Sequence, residues 1–155
     1  MLADFQQALA DLTAKPEFCL EVRATPSVLR DRYVLTDREA RRLCGIAAHD
    51  GMSCACTVYR MNRLAPLAMN VPQTLRALGR EAKRTVSAYW RDHPRGQAHF
   101  FLESERFCRW LSMHIDKGEV EAGEAVRLLL EREGAAIRTA IEASCTEPRT
   151  YGASI

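Results

Sequence analysis

A chain of 155 residues, 47% of them hydrophobic and 27% charged, is long enough to bury a real core, and it holds no low-complexity tract that would keep it unfolded. Its 22 lysines and arginines and 20 acidic residues leave a formal net charge of +2, with carboxylates interspersed almost throughout, which argues against a general nucleic-acid binder. No apolar run approaches the roughly 20 residues that a bilayer span needs, and irregularly spaced cysteines with no secretory segment before them point to a soluble, reduced, cytoplasmic chain.

In chain order, the apolar positions recur at helical spacing from end to end. Leu2, Phe5, Leu9 and Leu12 fall at three- and four-residue intervals and predict a first amphipathic helix that Lys15-Pro16 ends. Pro16 suits the first turn of a short second helix, where its missing N–H is no loss. Pro26 opens a segment carrying Val28, Leu29 and Tyr33. Thr36-Asp37-Arg38-Glu39 has the form of a capping box, with Leu35 before it, and predicts a helix over 37–48. His49-Asp50-Gly51 breaks the pattern. A helix over 52–65 then puts Met52, Cys56, Tyr59 and Arg63 on one side, and Pro66 is expected to stop or kink it.

Pro72 starts the following helix, which turns Leu75 and Leu78 inward and ends at Gly79. Residues 80–92 set Ala82, Val86 and Tyr89 on one stripe and Lys83, Arg84, Ser87 and Arg91 on other faces, before the loop His93-Pro94-Arg95-Gly96. Over 97–117 the set Phe100, Phe101, Phe107, Trp110, Leu111 and Ile115 marks the best-packed helix, ended by Gly118. A last helix over 120–143 carries Val126, Leu129, Leu130, Ile137 and Ile141, and an extended tail occupies 146–155. Alternating strand patterns do not occur. The fold class expected is therefore all-α, a single-domain helical bundle over 1–145 with about six to eight helices.

No catalytic constellation is legible. The four histidines, His49, His93, His99 and His114, form no H-x-x-x-H or H-E-x-x-H pair. Cys108 and His114 are six residues apart and point away from each other on a helix of about 3.6 residues per turn. Cys54-Ala55-Cys56 sets two thiols on opposite sides of a helix with nothing to complete a zinc tetrahedron. The six cysteines therefore read mostly as small buried apolar residues. No glycine-rich phosphate loop occurs. No catalytic residue, metal ligand or cofactor of the chain's own is expected.

Arginine dominates the basic residues, since only Lys15, Lys83 and Lys117 are lysine. Arginine suits bidentate contact with carboxylates and stacking on aromatic rings, although a GC-rich coding sequence accounts for the bias equally well. Residues 80–115 carry seven basic and four acidic side chains, and residues 116–155 carry five and eight. The basic 80–95 region supports an alternative reading, a helical nucleic-acid-binding protein.

Glu103 and Arg106, three apart on one helix, are expected to pair, either as a surface pair contributing a few tenths of a kcal/mol or within a network. In that network Glu103 or Glu105 neutralises Arg60 or Arg63, whose guanidinium groups sit on a helix that otherwise reads as buried. Phe100, Phe107 and Trp110 read as core. Trp90 differs: neighbouring helix residues point about 100° apart, so a buried Tyr89 leaves Trp90 at a boundary, where beside Arg91 it becomes an interface anchor.

The order Tyr59-Arg60-x-Asn62, Pro72, Leu78-Gly79, Tyr89-x-Arg91-x-His93-Pro94, then Phe100, Phe107 and Leu111, resembles a family of helical partner proteins. These are encoded beside multinuclear non-haem iron oxidative enzymes in ribosomal peptide natural-product pathways. The chain is most similar to the 3-thiaglutamate type and more distantly to the methanobactin type. The likeness spans about residues 50–115, and Leu35-Thr36-Asp37 shares it. It implies a non-catalytic accessory subunit, heterodimeric with the iron enzyme, that helps engage a ribosomal precursor peptide whose cysteine is oxidatively modified. Iron and redox chemistry would belong to the enzyme. On the signature alone, the contact residues would be Tyr59, Arg60, Asn62, Arg63, Trp90, Arg91 and His93, with Glu103 and Arg106 as a structural ion pair. Methanobactin-type partners are longer and bring a segment of strand character that this sequence lacks, so a helical groove or loop would replace strand addition in peptide recognition.

Overall fold

The computed structural model describes residues 2–146, with side chains through residue 144, and all its regular structure is helical. The elements are α1 (Leu2–Ala14), α2 (Pro16–Ala24), α3 (Val28–Arg32), α4 (Asp37–Ala48), α5 (Gly51–Asn70), α6 (Pro72–Leu78), α7 (Ala82–Asp92), α8 (Phe100–Asp116) and α9 (Glu124–Thr146), with a 3-10 turn at Gly79–Glu81. Eight of the described helices have seven residues or more, and α3 is a five-residue turn. Apart from the backbone of its first residue, the tail expected over 146–155 lies outside the described residues, as does the Cys145 side chain. No described helix is long and apolar enough to cross a membrane.

Contacts divide the chain into two compact units, one of residues up to 64 together with 91–95, the other of 65–90 with the described residues from 96 onward. In the first unit, local chemistry sets the helix ends. Pro16 occupies the first turn of α2. The Thr36 hydroxyl accepts the Glu39 N–H while the Glu39 carboxylate accepts the Thr36 N–H at 2.8 Å, closing both halves of the capping box. Arg23 donates to the Ala47 and His49 carbonyls and so covers the open C-terminal end of α4. The core is Leu12, Phe18, Val22, Leu29, Leu43 and their neighbours. Each large side chain so buried contributes about 1.5–3 kcal/mol before conformational entropy is counted. At its edge Asp11 accepts from the Tyr33 hydroxyl at 2.7 Å and from Gln7 at 3.0 Å, and pairs with Lys15 at 3.2 Å.

The second unit is built on the α8–α9 hairpin. The two helices run antiparallel: Asp116 meets Arg127 at one end and Cys108 lies against Gly134 further along. Tyr89 of α7 is fully buried, edge-on to Phe107 at 5.2 Å and to Trp110 at 5.6 Å. The N-terminus of α6 is capped from α9. Glu133, only 7% exposed, accepts the backbone N–H of Gln73 at 2.9 Å, that of Thr74 at 3.0 Å, and the Thr74 hydroxyl at 2.7 Å. A carboxylate there satisfies donors the helix leaves open and meets the positive end of its dipole.

Three sequence expectations are corrected. Of the two outcomes expected at Pro66, a stop or a kink, the stop does not occur, because α5 runs on to Asn70 rather than ending at Ala65. The proline withholds an N–H from the Asn62 carbonyl, and beyond it the Ser104 hydroxyl lies 3.0 Å from the Pro66 carbonyl and accepts from Asn70 at 3.0 Å. Residues 97–99 are not helical, since the Gln97 N–H is taken by the Glu103 carboxylate at 2.7 Å; α8 therefore opens at Phe100, which is half-exposed rather than core. Residues 120–123 do not start α9. Gly118 turns to φ 73°, and the Glu119 and Val120 N–H groups return to the His114 carbonyl at 2.9 and 3.2 Å, so Val120 closes α8 instead.

Candidate functional site

Two of the signature residues, Tyr59 and Arg63, form a clasp within the first unit. One helical turn apart on α5, they reach the segment that follows α7: the Tyr59 hydroxyl donates to the Pro94 carbonyl at 3.2 Å, and Arg63 donates to the His93 carbonyl at 2.7 Å. Arg63 is only 5% exposed, so its charge is spent inside the protein. His93 takes part through its backbone carbonyl. Arg60 lies one helix position from this face and meets Glu17 at 3.4 Å on the surface. A pair exposed on both sides contributes at most about 1 kcal/mol.

On the side away from the clasp, α5 turns an apolar face to solvent. Val58 is 52% and Met61 58% exposed, and Cys54 is exposed one turn earlier. The spacing 54, 58, 61 keeps the three on one side of the helix. Asn62 is exposed beside them. Residues 51–64 contain no aspartate, glutamate or lysine. The clasped segment adds the exposed side chains of Arg91 and Arg95. The clasped segment also carries the exposed Asp92, but along 51–64 exposed valine and methionine without lysine or carboxylates match the composition of protein interfaces rather than of ordinary surface.

In the second unit, Trp90 is partly buried near the end of α7, the boundary position that the burial of Tyr89 leaves it. Glu103 pairs with Arg106 at 2.6 Å, and with Glu103 only 1% exposed this is not a surface pair. Arg106 donates in turn to the Tyr89 hydroxyl at 3.0 Å, and its guanidinium lies 5.8 Å from the Tyr89 ring centroid. These residues organise the aromatic core beneath α7. Sequence spacing alone could not separate this buried network from a solvated i,i+3 pair.

A concave surface lies between α8 and α9, with a volume of about 540 Å³. Its floor is Cys108, Ile115 and Leu130, with Gly134 contributing no side chain. Burial pushes the Cys108 thiol up to about 12, with Glu133 and Glu105 adding to the shift, so the floor stays uncharged. Nothing in the sequence marked this groove, because its two walls are amphipathic stripes whose polar halves read as solvated surface. Among the described residues no group of three or more His, Cys, Asp or Glu side chains could hold a metal ion.

Set against protein-family models, curated proteins and solved structures, the chain has no match. The functional reading therefore stands on these surfaces and on the resemblance of the signature. Tyr59 and Arg63 come together with the backbone of His93 and Pro94; Arg60, Asn62 and Arg91 lie at the surface of the same unit. Missed by the sequence were Val58 and Met61. The four- and three-residue steps from Cys54 to Val58 to Met61 were visible, but nothing told an exposed stripe from a buried one.

Proposed function

We propose that the chain is a non-catalytic accessory subunit that docks on a multinuclear non-haem iron oxidative enzyme in the cytoplasm and helps present a ribosomal precursor peptide for oxidative modification of cysteine. The observation that carries this reading is the uncharged, exposed face Cys54-Val58-Met61 of α5. Such a face favours a protein partner, because burying methionine and valine against another protein removes apolar surface from water. The clasp supports it further by holding Arg91 and Arg95 on a segment tied to α5 rather than on a loose loop. In this reading iron and the redox step belong to the enzyme, and Tyr59 and Arg63 preorganise the surface rather than touch the peptide.

The test is to find a gene for a multinuclear iron oxidative enzyme beside the gene for this chain and to co-express the two, followed by size-exclusion chromatography. The two proteins are expected to elute together, and Met61→Glu or Val58→Glu is expected to separate them with the helical circular-dichroism signal intact. Separate elution of the unaltered pair would overturn the proposal. A second reading, nucleic-acid binding, is favoured by the exposure of Arg80, Lys83 and Arg84, of which Arg84 already pairs with Glu81 at 2.8 Å. It requires affinity that falls steeply with salt, and absence of binding to a labelled duplex at low salt removes it.

A further inference from the structure

The groove between α8 and α9 has a charge pattern of its own. Two of its arginines are neutralised, Arg109 by Glu105 at 2.5 Å and Arg127 by Asp116 at 2.6 Å. Arg138, Glu124 and Glu131 line the same groove, are exposed, and meet no opposite charge among the described residues. Arg138 stands where Gly134 leaves the floor bare: a Cβ at Gly134 would lie 3.4 Å from its guanidinium and 3.7 Å from the Cys108 Cβ. Glu131 is seven residues earlier on the same helix, about 10 Å along its axis, and Glu124 lies a further seven back. The groove is thus cationic at one end, anionic toward the other, and apolar between.

From this arrangement we infer that the α8–α9 groove seats a short peptide segment that places a carboxylate on Arg138 and a cation on Glu131 or Glu124, with an apolar side chain over Cys108 and Gly134. This rests on the peptide-presenting role proposed above and locates it. Charge complementarity selects the ligand class: a polyanion such as nucleic acid meets three glutamates on the walls, whereas a peptide supplies both signs at once. The roughly 10 Å from Arg138 to Glu131 suits about three extended residues, and the roughly 21 Å to Glu124 about six. The guanidinium offers a fixed fork to a carboxylate, and about 540 Å³ lies within the range of pockets that enclose a ligand.

Fluorescein-labelled peptides with the pattern Asp-x-x-Lys or Lys-x-x-Asp around an apolar residue, and neutral Asn-x-x-Gln controls, test the site by anisotropy on the full chain. At least one charged peptide is expected to bind about tenfold or more tighter than its neutral control, with the preference lost in Arg138→Glu and the order of preference reversed in Arg138→Glu/Glu131→Arg. Gly134→Ala is the control for folding. A methyl there makes ordinary contacts and favours the helix, so it is expected to raise thermal stability while weakening the peptide. Equal binding of charged and neutral peptides, or charged-peptide binding indifferent to all three variants, overturns the inference. Co-elution with the iron enzyme separates the two claims: an intact complex with groove-independent peptide binding sinks this site alone. Groove-dependent binding without a complex supports the site and sinks the subunit.

Discussion

A carboxylate removed from water must recover its hydrogen bonds inside the protein, and at the scale of single residues Glu133 and Glu103 do so differently. Glu133 takes three donors at the start of α6, sixty residues away in sequence. Glu103 takes Arg106 and the Gln97 N–H. The second was half legible, because a three-residue spacing announces a pair; the first was not, because no local pattern names a partner so distant. Glu133→Gln is expected to cost about 1–3 kcal/mol in chemical denaturation, since the amide keeps one acceptor and loses the charge. A double-mutant cycle on Glu103→Gln and Arg106→Gln is expected to give a coupling of about 1 kcal/mol or more, and additive losses would show that the two act independently. Asp11 adds a pH dependence. Burial works against its charge, but the hydrogen bonds from Tyr33, Gln7 and Lys15 outweigh it and hold the carboxyl below its usual range. Its stabilisation is therefore complete above the ordinary carboxylate value and lost as pH falls through the lowered one. Asp11→Asn is expected to remove that share of the acid limb from a pH series of melting temperatures.

Among the elements, boundaries were legible wherever the stop signal is local. Pro16, the Thr36–Glu39 box and Gly79, whose φ of 55° suits a residue without a side chain, all act within one turn. They were not legible where a backbone group bonds elsewhere, as at Gln97 and Val120, or where a helix continues past a missing donor, as at Pro66. The exposed face of α5 belongs to the same class: its spacing was visible, but only packing decides which stripe faces water. That packing makes a measurable claim about α5, whose two thiols Cys54 and Cys56 lie on different sides. Cys54 is exposed, while burial raises the Cys56 thiol pKa and the thiol donates to the Leu12 carbonyl at 3.4 Å. A maleimide pulse on the native protein, read by peptide mapping, is expected to label Cys54 well before Cys56. Equal labelling would show that α5 does not pack as described.

For the whole molecule, the all-α class was legible because helical periodicity persists along the chain and no strand pattern competes with it. The contact map was not, because helix order in sequence leaves helix partners open. The first unit is completed by residues 91–95, which arrive only after 65–90 have entered the second. Arg63→Met keeps much of the side-chain volume but removes the donor to the His93 carbonyl, and is expected to lower stability by about 1–3 kcal/mol and to quicken protease cleavage around Arg91 and Arg95. That clasp also orders events during synthesis. The ribosome releases α1 to α4 and the start of α5 early, yet the turn that Tyr59 and Arg63 grip emerges only after α6 and α7. The N-terminal unit is thus begun first and finished late, because Arg63 leaves the ribosome well before the carbonyl it grips.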